Sequence, residues 1–119
     1  MTAIVGFVVL LQVVPLLPPR PPVDLPPPAV VCVDAVITGY VRSHGSSRTY
    51  DGTSVWTQEP ITAASWNVPL DTMVTIDGLG TFRVADRGKL APTHFDVLVD
   101  TVSEAYALTS VRRACWRDP

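Results

Sequence analysis

In "VADRGKLAPTHFDVLVD", residues 84 to 100, three carboxylates, Asp86, Asp96 and Asp100, stand among residues that otherwise favour sheet. Alternation along "FDVLVD" puts Phe95, Val97 and Val99 on one face of a strand and Asp96, Leu98 and Asp100 on the other. The first face is core. Asp96 shares its face with Leu98, so it is expected in a half-sheltered groove. There desolvation raises a carboxyl pKa and keeps the proton on near neutral pH, which is what a general acid needs. Asp86 comes at the end of "TFRVA", beside Arg87 and Gly88, where a turn can aim its side chain toward the same groove. The alternative for each is a turn cap or a solvated strand position. Asp100 is read as the start of the turn into the next element.

A second constellation is weaker. His44 and Asp51 are spaced as in one zinc-peptidase motif, with His94 as a third donor, but the residues between them do not match that motif. Each histidine is read as a loop or surface residue, and neither a metal nor a cofactor is expected.

The elements that must position these residues are short and β-rich. "AVVCVDAVITGYV" is dense in β-branched residues and runs into the polar loop "RSHGSSRTYDGTS". "ITAAS", "TMVTI", "TFRVA" and "HFDVLV" read as further strands, and Asp77-Gly78 as a hairpin-type turn that tolerates positive φ. "VSEAYAL", residues 102 to 108, has helical spacing, with Ser103 or Thr101 as N-cap and Val102, Ala105 and Tyr106 toward the core. "SVRRAC" closes the chain as a last strand. Six or seven short strands and one short helix predict an all-β fold, a small barrel.

With 119 residues, 47% of them apolar, the chain supplies one small core and no second domain. The formal net charge of −2, without a block of Lys or Arg, leaves no surface suited to neutralising phosphates, so nucleic acid is not expected as a partner. The domain is read as a monomer.

The chain divides into residues 1–17, an apolar leader; 18–28, a proline-rich linker; and 29–119, the barrel. The uncharged run "AIVGFVVLLQVVPLL", residues 3–17, falls short of the roughly 20 residues that span a bilayer and matches a signal-peptide core better. No Lys or Arg precedes it and no A-x-A site follows, which leaves a cleaved signal, a retained membrane tether and another kind of leader all open. Eight of the 12 prolines lie between Pro15 and Pro28, favouring an extended spacer. Export to the cell envelope, periplasm or exterior is expected. Cys32 on the first strand and Cys115 on the last would then meet as a disulfide, since first and last strands of small barrels often adjoin; two separate buried thiols are the alternative.

"TGY" at Thr38 to Tyr40, "DGTSV" at Asp51 to Val55 and "ITAASWNVPLDTMVTIDGLGTFRVADRGKLAPTHFDVLV" at Ile61 to Val99 follow one another as do the motifs of a known family. Residues 36 to 116 resemble the three-Asp (3D) domain, a double-psi-type β-barrel that also forms the catalytic barrel of membrane-bound lytic transglycosylase A. Asp86 matches the aspartate of the family's A-E-D-T-G segment and Asp96 that of I-D-V-Y-F. Ser65 replaces the first of the three aspartates, Asp71 a turn glycine, and Arg87 and Lys89 the Thr and second Gly after Asp86. The resemblance implies cleavage of the MurNAc–GlcNAc β-1,4 bond of peptidoglycan with a 1,6-anhydro product. Asp96 would be the catalytic acid, Asp86 its neighbouring carboxylate, and Tyr40 and Trp66 the rings lining the glycan groove. The alternative is a barrel that binds or builds the wall without chemistry.

Overall fold

Runs of alternating β-branched residues, each broken by a turn signal, fold as six strands. The computed structural model describes residues 6, 15–22, 26 and 28–118. The strands are β1 (Val30–Val41), β2 (Ile61–Ala64), β3 (Met73–Ile76), β4 (Gly80–Arg87), β5 (His94–Val99) and β6 (Ser110–Arg117), with one helix, α1 (Val102–Leu108), between β5 and β6. They close into a barrel in the order β1-β5-β2-β4-β3-β6. Two pairings are parallel, β1 with β5 and β2 with β4, and four are antiparallel. The number of strands is six rather than seven.

Closure leaves no free sheet edge and encloses one row of each strand's side chains. On β3 the alternation is strict, with Val74 and Ile76 buried and Met73 and Thr75 exposed. Ile37, Val84, Phe95, Val97 and Trp116 are among the residues that join them in the interior, where Phe95 and Trp116 meet edge to face at 5.7 Å between centroids. A smaller cluster of Val55, Ile61, Ala85 and Leu98, with Tyr40 against it, lies on the outer face. The loop between β1 and β2 covers this cluster through Val55.

Two tight turns behave as their residues dictate. Gly78 and Gly80 hold φ of 76° and 113° in the β3–β4 turn. Asp71, where the resemblance has glycine, holds φ of 69°, a left-handed conformation that Asp tolerates through its short polar side chain.

Thr101 caps α1, accepting from the Glu104 amide at 3.1 Å, and the Glu104 carboxylate accepts in turn from the Asp100 amide at 3.2 Å. Of the three helix residues expected to face inward, Ala105 is partly buried, while Val102 and Tyr106 are exposed at 45% and 78%. Leu108 takes the inner position instead. The cause is the helix's seat on β1. A Cβ added at Gly39 would lie 2.8 Å from the Ala105 Cα and 3.0 Å from its Cβ. This contact selects the Ala105–Leu108 face, three residues apart on one side of the helix. Gly39→Ala is therefore expected to destabilise the fold by about 1–3 kcal/mol, through overpacking at a backbone contact. Urea unfolding should show a lower midpoint with an unchanged slope, and an unchanged midpoint would place the helix seat elsewhere.

Most of the apolar run at residues 3–17 lies outside the described residues, as do linker positions 23–25 and 27. The described residues 15–22, 26 and 28 are exposed and without regular secondary structure. Among the described residues no helix is long and apolar enough to cross a membrane.

Candidate functional site

The two aspartates singled out by sequence are brought together by register. Thr38 pairs with Asp96 between β1 and β5, Ala63 pairs with Asp96 between β2 and β5, and Ala63 pairs with Asp86 between β2 and β4. Thr38, Asp96, Ala63 and Asp86 thus form one row across four neighbouring strands. Their common face is the outer one, because Phe95 and Val97 on either side of Asp96 point into the core. The aspartate backbones flank Ala63 at two strand spacings, about 10 Å. Between them stands only a methyl group.

Asp86 reaches this face by a device the sequence does not announce. By simple alternation it would follow Val84 to the inside. The β2–β4 register shifts between Thr62 and Ala63, so that Ala63 faces Asp86 and Ala85 is bypassed. Ala85 belongs to the outer cluster, and the bulge keeps the next residue, Asp86, on the same side. Asp86 is the penultimate residue of β4, near the strand end where the sequence puts it, and the bulge rather than the following turn aims its side chain. Its Oδ1 accepts from the amides of Tyr50, at 2.9 Å, and Arg87, at 2.8 Å.

Asp96 is half-buried and accepts at Oδ1 from the Thr38 hydroxyl at 2.8 Å, and that hydroxyl is 2.8 Å from His94 Nε2. Burial pushes its carboxyl above the ordinary carboxylate range. The Thr38 hydrogen bond and the His94 ring oppose this rise, and the negative charge of Asp86 adds to it. Tyr40, on the same face two residues beyond Thr38, is half-buried against Leu98, and its hydroxyl is buried without a hydrogen-bond partner. Burial first, then the charge of Asp86, raises the phenol pKa; the carboxylate stands near the hydroxyl but outside hydrogen-bond geometry. A cleft of about 120 Å³ opens here among Tyr40, Arg42, Val55 and Asp86.

Beside Asp86 lies an exposed aromatic shelf. Trp66 is 67% and Tyr50 59% exposed, and their rings meet edge to face at 5.3 Å. The Arg87 guanidinium lies 5.0 Å from the Trp66 ring centroid, and its Nη1 donates to the carbonyl of Ser65 at 2.8 Å and to that of Val68. Ser65 contributes its backbone oxygen to holding this shelf.

The loop of residues 42–60, which carries Tyr50, is clamped to the barrel by Arg83. Its guanidinium is bidentate to Glu59 at 2.7 and 3.2 Å and reaches Asp51 at 2.8 Å, Asp71 at 3.1 Å and the Thr53 hydroxyl at 3.2 Å. Burial pushes the Asp51 carboxyl up, but hydrogen bonds from Thr53, Thr49 and Arg83 outweigh it and hold the group well below its usual range. The Arg83 hydrogen bond lowers Glu59 likewise. Carboxyls with depressed folded-state pKa values contribute stability above the ordinary range, about pH 4, and lose it as pH falls toward the depressed values. Protection of the amides between Thr49 and Val55, relative to their intrinsic exchange rates, is therefore expected to fall below about pH 4 and, at neutral pH, in Arg83→Met. Equal protection in that variant would show that the clamp does not hold the loop.

A larger groove of about 620 Å³ borders β3 and β6 near Leu70, Met73 and Trp116, away from the Asp86–Asp96 row. Among the described residues no three His, Cys, Asp or Glu side chains gather to hold a metal ion. His44 is exposed in the loop, whereas His94 takes part in the Asp96 network. Thr38, Tyr50 and Arg87 are given no chemical part by the sequence, and His94, read there as a candidate zinc donor and otherwise a loop or surface residue, instead opens β5 and joins the Asp96 network. A signal existed for His94, since residues two apart on a strand share a face and Asp96 is two residues on. Tyr50 comes from a loop whose fold no periodicity encodes. Cys32 and Cys115 face each other in the β1–β6 ladder and form a disulfide. Compared with protein-family models, curated proteins and solved structures, the chain matches none.

Proposed function

We propose that this barrel cleaves the MurNAc–GlcNAc β-1,4 bond of peptidoglycan by intramolecular transglycosylation, as the resemblance to three-Asp domains implies. The observation that carries the reading is Asp96: a half-buried carboxyl, raised by desolvation, in register through Ala63 with a second carboxylate, Asp86, beside which an exposed aromatic shelf lies. In this reaction the Asp96 proton passes to the glycosidic oxygen as the C1–O bond breaks. The MurNAc C6 hydroxyl then bonds to C1 and gives its proton to Asp96. The carboxyl ends as it began and no water is consumed, so one general acid–base suffices where hydrolases use two carboxylates.

Asp86 supplies negative charge toward the oxocarbenium-like centre. Its amide hydrogen bonds hold it in place during the reaction. Trp66 and Tyr50 offer flat faces for sugar rings, and Tyr40 lines the small cleft beside Asp86. The Cys32–Cys115 disulfide accords with export to an oxidising compartment, with residues 3–17 as signal or tether. The test is digestion of purified sacculi by the full chain, with mass spectrometry of the soluble products. 1,6-Anhydro muropeptides are expected. A second reading, a wall-binding barrel without chemistry, draws on Ser65 standing in place of a carboxylate. Protein that pellets with sacculi and releases no product would establish that reading instead.

A further inference from the structure

Thr38 stands between two ionisable groups. Its single hydroxyl hydrogen is donated to Asp96 Oδ1, and the same oxygen lies 2.8 Å from His94 Nε2. A hydroxyl that has given its hydrogen to Asp96 can only accept from the imidazole, so the nitrogen facing it carries a hydrogen. The opposite direction, Asp96 to Thr38 and Thr38 to a bare Nε2, exists only with a proton on Asp96. The direction of the chain and the protonation of the carboxyl are therefore linked through one oxygen atom. The link is also built into the fold. His94 and Asp96 are two residues apart on β5 and share a face, and β1 sets Thr38 opposite Asp96 in parallel register.

We infer that His94 is a positioning residue for Asp96, acting through the Thr38 hydroxyl to orient the carboxyl and to set when it releases and regains its proton. This rests on the reading of Asp96 as the reacting carboxyl. An imidazole N–H directed at Thr38 commits the hydroxyl to donate to Asp96, which favours the carboxylate that must accept the C6 hydroxyl proton. Charge on the ring strengthens that commitment. The groups facing Asp96 from the packed elements are Tyr40 on β1, Asp86 on β4 and His94 on β5, while β2 contributes the uncharged Ala63. Asp86 and His94 act on the carboxyl in opposite senses, and only His94 is connected to it by hydrogen bonds. Thr38 is the element that transmits its state.

The test is an NMR titration of the Asp96 carboxyl carbon in the full chain, for the wild type, Thr38→Val, Thr38→Ser and His94→Gln. Thr38→Val removes the donor, and the Asp96 midpoint is expected to rise by about one pH unit. Thr38→Ser restores the hydroxyl and should superimpose on the wild type. His94→Gln keeps an N–H donor and removes the ring that opposes the rise of the Asp96 carboxyl, so the Asp96 midpoint should move up from its wild-type value. Asp96 curves that superimpose in all four proteins would overturn the inference, as would a Thr38→Val shift with His94→Gln unchanged. If Thr38→Val does not fold, the His94→Gln and Thr38→Ser curves decide alone. Where wild-type protein yields anhydro products, the alkaline limb of kcat/KM should move up with Thr38→Val by the same amount. Absence of product from wild-type protein would remove the transglycosylase reading, while the titrations would still report on His94.

Discussion

Asp96→Asn is expected to reduce release of 1,6-anhydro muropeptides by about a thousandfold, within the range that a positioned general acid supplies, while leaving the fold intact. Asn has the shape of Asp, and its amide oxygen can accept the Thr38 hydrogen bond as Oδ1 does. The stability effect has a definite sign. Burial raises the folded-state pKa of Asp96 above its unfolded value. Such a group contributes its full stability below the unfolded pKa and loses it as pH rises through the folded one. Above its folded pKa the ionised carboxylate is thus a burden on the fold that Asn does not carry. The thermal midpoint of Asp96→Asn should equal or exceed that of the wild type at pH 7, and the two should converge in acid. A variant both inactive and less stable at pH 7 would mark Asp96 as a structural residue. In the wild type, kcat/KM should fall as pH rises through the Asp96 pKa, because the first proton transfer needs the acid form.

The parts of this site that local pattern determines were readable in the chain. Alternation in "FDVLVD" sets Asp96 against Phe95 and Val97, and the β-branched runs mark all six strands with boundaries close to those observed. Register between distant strands is a different matter. That Thr38 and Ala63 both flank Asp96 depends on pairings across 58 and 33 positions, for which no local signal exists. The bulge at Ala85 belongs to the same class, because it resolves a mismatch between β2 and β4 that neither strand shows alone. The helix face failed for a related reason. Tyr106 and Val102 suit a core by type, but the close approach of Ala105 to Gly39 decides which side of α1 turns inward. Three of the site's polar contacts, from Thr38, Tyr50 and Arg87, come from groups whose partners lie far along the chain or on the backbone, where composition carries no information.

Replacing Cys32 and Cys115 by Ser, or reducing the disulfide, is expected to lower stability by about 4 kcal/mol while leaving the site assembled. The bridge closes a sequence separation of 83 residues, and in the chain-entropy model its main effect is to restrict the unfolded ensemble. The native state keeps its geometry by other means: eight residue pairs, from Val30–Arg117 to Ile37–Ser110, hold β1 against β6 around the bridge. Cys32 is exposed, so a reductant can reach the bond without unfolding the barrel. Thr38 lies six residues further along β1, about 20 Å in an extended strand, which separates the Asp86–Asp96 row from the bridge. A small domain has a total stability of only about 5–15 kcal/mol, so losing 4 leaves it folded at room temperature and much closer to its threshold. Urea unfolding with and without dithiothreitol measures the difference, and the slope should increase in the reduced protein as its unfolded chain exposes more surface. Specific activity at 25 °C should be retained. Together with Asp96→Asn, which is expected to remove activity and spare stability, the pair tests whether the residues that hold the barrel are separate from the proposed reacting carboxyl. Loss of activity on reduction, with the barrel still folded, would show instead that the β1–β6 junction sets the geometry of Thr38 and Asp96.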